Sequence, residues 1–233
     1  ILPIVCQSAS LNRDVIVMIA ASLLFIAFCW MGTLVAWQGA ILVAVLLAFL
    51  INSYAAERHD NHERDEYGEE SNGAGLLPQS VFVFLGFIVV GLSGLLIGSH
   101  ILINGSVGIA RAWGVSETVI GLTLVALGTS LPELATTIIA AVRKHGGIAV
   151  GNIVGSNMFN ILGVMGITSL IIPVPIPQQT LQFDLWVMLA AALIILPFTI
   201  RQIPISRGTG VLFSVTYIGF VSIQYFQIPI FSS

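Results

Sequence analysis

The sequence predicts an all-α, polytopic membrane protein built on an inverted repeat. Three observations predict it. The 233 residues are 57% hydrophobic and only 8% charged, where a soluble domain carries about 25% charged residues. The apolar residues are gathered into seven runs, each near the roughly 20 residues that cross a hydrocarbon layer about 30 Å thick. Residues 1–54 also have a counterpart at 171–225, and the number of spans between the two copies is odd.

The seven runs are approximately 14–34, 38–54, 80–103, 117–142, 148–171, 184–200 and 210–228. Residues 1–11 are a short Pro-containing lead. The chain starts at Ile1 and has no basic stretch followed by a cleavage site, so it reads as a piece of something longer. The break between Gly32 and Gly39 separates the first two spans. Cys6 and Cys29 are the only cysteines, and neither a disulfide framework nor a thiolate metal cluster is implied. Residues 56–78 form the one long polar loop, with Glu57, Asp60, Glu63, Asp65, Glu66, Glu69 and Glu70 among Arg58, His59, His62 and Arg64. Mixed charge with few apolar residues builds no core, so the segment is expected to be a solvated linker.

Basic residues set the orientation. With alternating spans, Arg13, Arg58, Arg64, Arg143, Lys144, Arg201 and Arg207 fall on one side and only Arg111 on the other. Positive residues favour the cytoplasmic side, which puts the acidic loop in the cytoplasm and the C-terminus outside, in a plasma (inner) membrane.

The repeat has an offset of 170 residues. Leu11, Asp14, Val17, Met18, Ala20, Ala21, Leu23 and Phe28 match Leu181, Asp184, Val187, Met188, Ala190, Ala191, Leu193 and Phe198, and Ile1 and Pro3 match Ile171 and Pro173. One residue of slip later, Gly39, Phe49 and Tyr54 match Gly210, Phe220 and Tyr225. Inverted repeats of this kind put an ion site at the midplane between the halves. The expected organisation is therefore the last two spans of repeat one at 1–55, the acidic loop at 56–78, and repeat two at 79–233 with ion-binding helices at about 117–142 and 148–171.

The chemistry lies in residues 121–133, Gly-Leu-Thr-Leu-Val-Ala-Leu-Gly-Thr-Ser-Leu-Pro-Glu. Glu133 stands mid-way along an apolar span without Lys or Arg. An ionised carboxylate at that depth costs at least about 2.5–3.5 kcal/mol by insertion scales and needs a partner. A cation is the simplest one. Pro132 has no N–H and presses on the carbonyl of Gly128, so the helix should kink or open between them. Thr129 lies four residues before Glu133 and Ala126 seven before, so hydroxyl, main-chain carbonyl and carboxylate fall on one helical face. Such hard oxygen donors suit Na⁺ and Ca²⁺. The alternative is a proline-kinked helix with a protonated, structural Glu133.

The next span opens with Gly151-Asn-Ile-Val-Gly-Ser-Asn-Met-Phe-Asn160. Ser156 and Asn160 are four apart, and Gly151 and Gly155 form a small-xxx-small step for close helix approach. Only a tight turn, 143–147, separates this helix from that of Glu133, which brings Ser156 and Asn160 towards Thr129 and Glu133. Interhelical hydrogen bonding without an ion is the alternative. Gly121, Gly128, Gly163 and Gly166 are candidates for close packing.

Together, the Gly-Thr-Ser-Leu-Pro-Glu and Gly-Asn-Ile-Val-Gly-Ser-Asn-Met-Phe-Asn segments resemble the second α-repeat of the sodium/calcium exchanger family, in the cation/Ca²⁺ exchanger superfamily. The resemblance covers about residues 12–228. It implies an inverted-repeat exchanger fold of ten spans, about seven of them in this chain. It also implies ion coordination by Thr129, Ser130, Glu133 and the carbonyl of Ala126, with Ser156 and Asn160 contributing from the following helix. Many second repeats carry Asp where this chain has Asn160, which removes one negative charge. The Ca²⁺/H⁺ branch usually has a His-containing second motif, absent here.

The implied activity is exchange of Na⁺ for Ca²⁺ by alternating access, with both ions as substrates and no cofactor. A counterpart of Glu133 at the repeat offset falls before Ile1, so the first half-site is expected from a missing N-terminal repeat or another copy. A Ca²⁺/H⁺ exchanger on the same fold and a non-transporting half are the other readings. No His-Glu-x-x-His or Gly-x-Ser-x-Gly is present, and Ser130 has no His in its own span, so an intramembrane protease, or any enzyme, is not expected. His100, in a neighbouring span, is expected to make a helix–helix contact. The lipid bilayer is the expected partner, and nucleic acid is not.

Overall fold

The structure, a computed structural model, describes residues 9–66, 81–114, 120 and 126–225. Pro3, Gly121 and the distal half of the acidic segment lie outside the described residues. Helices dominate: α1 (Ala9–Cys29), α2 (Ala36–Glu66), α3 (Val81–Ala112), α4 (Ala126–Thr129), α5 (Leu131–Val142), α6 (Gly146–Met158), α7 (Met165–Ile171), α8 (Leu185–Ile200) and α9 (Arg207–Tyr225). A π-turn, Phe159–Val164, joins α6 to α7, and a second, Thr180–Asp184, leads into α8. Five stretches are long and apolar enough to cross a membrane: Leu11–Cys29, Ala36–Ala56, Leu85–Ala112, Gly146–Ile171 and Thr180–Ile200. The chain is an integral membrane protein.

Three element ends depart from the sequence expectation. The first span stops at Cys29 rather than at residue 34, because Gly32 takes φ +100° and turns the chain. Carbonyls of Ile26, Phe28 and Cys29 accept from the N–H groups of Trp30, Met31 and Gly32, which closes the helix end. The second helix continues ten residues beyond the apolar span, through Glu57–Glu66. That part of the expected polar loop is helical because it contains neither Gly nor Pro and follows directly on an established helix, so no new nucleus has to form. The third helix runs to Ala112 and ends where Gly114 adopts φ +76°.

Two compact units emerge: one from residues 1–57, 136–215 and 230–233, the other from 58–135 and 216–229. In the first, α1 is the central element and packs along α8 and α6. Val15, Met18, Ser22 and Cys29 on α1 are fully enclosed, together with Leu34, Leu42, Val154, Met158 and Leu162. Ser22 escapes the cost of burying a hydroxyl by donating to the carbonyl of Met18 at 2.9 Å.

The inverted repeat is visible in this packing. Trp30, just past the end of α1, makes an edge contact of 6.3 Å with Trp186 at the start of α8. The repeat-related helices α1 and α8 therefore run in opposite directions. Leu11, at the start of α1, lies 4.0 Å from where a Cβ on Gly151 would stand, so α6 begins at the same end as α1. The two ends of the unit are chemically distinct. Trp30, Trp37 and Trp186 gather at one, in the manner of an interfacial aromatic belt. Arg13, Arg143, Lys144, Arg201 and Arg207 gather at the other.

The aromatic end is latched. Leu34 and Val174 exchange reciprocal backbone hydrogen bonds of 2.9 Å, which ties the α1–α2 loop to the segment after α7. Buried Gln38 accepts the N–H of Val35 at 2.9 Å, as a third-position Gln does in a capping box, and its Nε2 reaches the Phe28 carbonyl at 3.4 Å. At the basic end, Arg13 donates to Asp14 and to Ser53 of α2, each at 3.1 Å.

Close helix approach occurs at Gly39 and Gly166, not at the Gly151–Gly155 step. A Cβ on Gly39 would stand 2.5 Å from the Gly166 carbonyl oxygen and 2.6 Å from Ser169 Oγ. Gly155 has nothing within 4 Å, and Gly151 only Leu11. A small-residue pattern marks a surface that can be approached; which surface is used depends on the neighbouring helix. Gly163 does pack closely, with a Cβ position 3.1 Å from Leu46, and Gly128 lies tightly under Ile103 of α3. His100 is exposed on α3.

Gly39→Ala is expected to lower the thermal midpoint in detergent, with an overpacking cost of about 1–3 kcal/mol. Gly155→Ala is expected to leave the midpoint equal or higher. Thermal unfolding followed by tryptophan fluorescence checks both.

Candidate functional site

The site residues fall on two short structures. The first is a corner. Pro132 cannot donate to the Gly128 carbonyl, and the helix breaks there: α4 ends at Thr129, Ser130 is a turn, and α5 starts at Leu131. The Leu134 N–H donates to the Ser130 carbonyl at 3.0 Å, which starts the new helix. Proline is well placed in a first helical turn, where its missing N–H has no intrahelical partner to lose. The expected break is present.

Ala126 and Thr129 belong to α4, and Glu133 sits in the first turn of α5, with Ser130 as the single turn residue between the two helices. Thr129 and Ser130 are exposed at the corner, Glu133 is half-buried, and its Oε2 atom is shielded from solvent. The positive end of the α5 dipole favours a negative side chain at this position. The negative end of α4 is where backbone carbonyls emerge.

The second structure is the junction of α6 with its π-turn. Ser156 Oγ donates to the Ile153 carbonyl at 3.1 Å, and Asn157 Nδ2 donates to the same oxygen at 2.8 Å. With its proton turned back into its own helix, the Ser156 oxygen presents lone pairs outward. Asn160 is exposed and second in the π-turn, where its carbonyl accepts from Met165, five residues on. Turns of this kind recur at functional positions. The Ser156 and Asn160 positions thus straddle a change in helical pitch that a four-residue spacing does not convey.

Glu133, Thr129 and Ser130 belong to one compact unit, and Ser156 and Asn160 to the other. Among the described residues no three His, Cys, Asp or Glu side chains cluster as a metal site. One polar contact escaped the sequence reading: Asn152 Nδ2 donates to Thr137 Oγ1 at 2.9 Å. It links α6 to α5. Thr137 is four residues after Glu133 and Asn152 four before Ser156, so extending each four-residue series one step would have found it.

Comparison with known proteins gives the family and the fold. A family model described as sodium/calcium exchanger protein matches residues 83–226, more than half of the chain. The inner membrane protein YrbG of Escherichia coli is 32% identical over 235 aligned positions, covering 98% of this chain and 71% of that protein. The sodium/calcium exchanger MaX1 of Methanosarcina acetivorans is 37% identical over 139 residues, 60% of this chain and 40% of its own length. Among solved structures, the sodium-calcium exchanger NCX_Mj soaked with Na⁺ and Sr²⁺ superposes with a TM-score of 0.73 at 28% identity, covering 94% of this chain and 68% of that one. With its inverted pair of packed helices, its proline-broken span and its two oxygen-rich segments, the chain belongs to the sodium/calcium exchanger protein family.

Proposed function

We propose that this chain forms part of a Na⁺/Ca²⁺ antiporter whose cation is held by Glu133. Thr129, Ser130 and the Ala126 carbonyl flank the carboxylate, and Ser156 and Asn160 contribute from α6 and its π-turn. The observation that carries the reading is Glu133 itself: a carboxylate in the first turn of a helix broken by Pro132, inside an apolar segment. Irregular backbone at membrane depth is tolerated where it lines a cavity or binds an ion. The oxygens around it are hard donors of the class that Ca²⁺ and Na⁺ take.

Glu133 supplies one negative charge, and Asn160 is neutral. A symmetry-related carboxylate from the first repeat, at 1–55 and beyond, raises the charge to about −2. A site of that charge balances one Ca²⁺ or a set of Na⁺ ions, not both together. Exclusion of one ion by the other at a single site is what couples their fluxes, and alternate opening of the two sides converts it into antiport.

The proposed sidedness follows from the chemistry of the two ends. The basic end of α1, α6 and α8, with the charged extension of α2 and the rest of 56–78, faces the cytoplasm, and the tryptophan end faces outward. Repeat two at 79–233 then leaves the C-terminus outside an inner membrane.

In vesicles carrying the full-length exchanger, Glu133→Gln is expected to abolish Ca²⁺ uptake driven by internal Na⁺. Wild-type flux in that variant, or equal uptake with a proton gradient and no Na⁺, refutes the assignment. A cysteine at Lys144 is expected to react with an impermeant maleimide only from the cytoplasmic side, and one at Gly32 only from outside; the reverse pattern overturns the orientation.

A further inference from the structure

We propose that the turn between α8 and α9 docks an anionic phospholipid: Arg201 and Arg207 hold the headgroup, and Ile203 between them dips to the level of the acyl chains. The site takes lipid, not the transported cation, and does not depend on the ion site proposed above. All of its residues lie in the first compact unit. Charge is the first observation. Arg201 and Arg207 are the only charged side chains between residues 185 and 233, and both are exposed. No acid stands on α8, the turn or α9. Asp184 precedes α8 at its opposite end, a helix length of about 25 Å away at 1.5 Å per residue. Asp14, the acid of α1 at the basic end, is engaged by Arg13 at 3.1 Å.

Height is the second. Phe198 and Phe213 meet edge to face with ring centres 5.9 Å apart, which pairs the end of α8 with the start of α9. Measured from that contact, Arg201 stands about 4.5 Å and Arg207 about 9 Å further towards the basic end. The two guanidinium groups thus start within one helical turn of the same level, and each can bind a phosphate through two parallel hydrogen bonds. Apolarity is the third. The turn reads Gln202-Ile-Pro-Ile-Ser206. Gln202, at φ 52°, ends α8, and Ser206 Oγ accepts the Thr209 N–H at 3.2 Å to begin α9. Ile203 is 42% exposed between the two charges, and Ile200 and Leu212 on the flanking helices are more than half exposed. In a turn that faces only water, such an isoleucine loses by its exposure. At a membrane surface it enters the boundary between headgroups and acyl chains, and the arginine stems lie along that boundary with their charged ends in the headgroup layer. A phosphate beside hydrocarbon is what a phospholipid offers to this pattern. The headgroup must be anionic, because a zwitterionic one brings its own cation to the arginines. The turn at 143–147 lies at the same end and carries Arg143 and Lys144, but the rest of it is His145, Gly146 and Gly147. Positive charge is common to both turns; its pairing with an apolar side chain is not.

The test titrates the full-length exchanger in detergent with phosphatidylglycerol, phosphatidylcholine or inorganic phosphate. Bound lipid is counted by native mass spectrometry, and the thermal midpoint is followed in parallel. Phosphatidylglycerol is expected to be retained and to raise the midpoint, phosphatidylcholine to do so less, and inorganic phosphate to do neither. Arg201→Gln with Arg207→Gln is expected to raise the half-saturating phosphatidylglycerol about tenfold, and Ile203→Ser about threefold. Arg143→Gln with Lys144→Gln is expected to change it less than twofold. Equal retention of the two lipids by the wild-type protein overturns the proposal and leaves the acids of 57–66 as partners for the arginines. Equal losses from the two basic pairs also overturn it, since they assign binding to the diffuse charge of the whole end. A full effect of inorganic phosphate overturns it as well, because the site is then an anion site that needs no lipid. If the Arg201 and Arg207 double variant does not fold, Arg207→Gln alone, together with Ile203→Ser, decides.

Discussion

A helix interrupted inside an apolar layer must hand its freed polar groups to something other than water, and this constraint shapes the protein around Pro132. The proline removes the donor to Gly128, the chain turns at Ser130, and a new helix begins with a carboxylate in its first turn. Each step follows from the one before. What would be a defect in a purely structural span sets a half-buried acid at a break in the helix. Gly128 makes the arrangement compact, since any side chain there would overlap Ile103. The corner thus lies directly against α3.

Around the corner the protein follows the ordinary rules of helix packing. The enclosed residues of α1 belong to the repeat-related pair α1 and α8, which meet head to tail. Three hydroxyls that the packing buries are satisfied locally: Ser22 by the Met18 carbonyl, Thr199 by that of Leu196 at 3.0 Å, and Ser169 by those of Met165 and Gly166 at 2.7 and 3.0 Å. Ser169 also fills the space that Gly39 leaves open. That crossing is thus sealed by a side chain whose hydroxyl is already spent within its own helix.

Much of this was legible in the residues because it is local. Length and apolarity marked the spans, and Pro132 marked the break. The repeat could be read because Asp14 and Asp184, or Phe28 and Phe198, are distinct enough to align. What stayed hidden depends on partners distant in sequence or on small changes of pitch. No residue announces the π-turn at Phe159–Val164, since one extra residue in a hydrogen-bond ladder needs no special side chain. Gly151 and Gly155 looked like a contact surface, but Gly39 and Gly166 became one, because a stripe of small residues does not choose its neighbour. The charged tail of α2 looked like loop because polarity was weighed above helix continuity.

The latch between Leu34 and Val174 limits how the protein can move. Two amide hydrogen bonds, backed by Gln38 and by the edge contacts of Trp30 with Trp186 and Phe28 with Trp37, fasten α1, α2, α7 and α8 into a single mass at that end. Such a block resists being prised apart at the clasp, much as a sheaf bound at its neck stays whole. On the transport reading proposed above, a pathway for ions on that face is gated by elements the clasp does not hold.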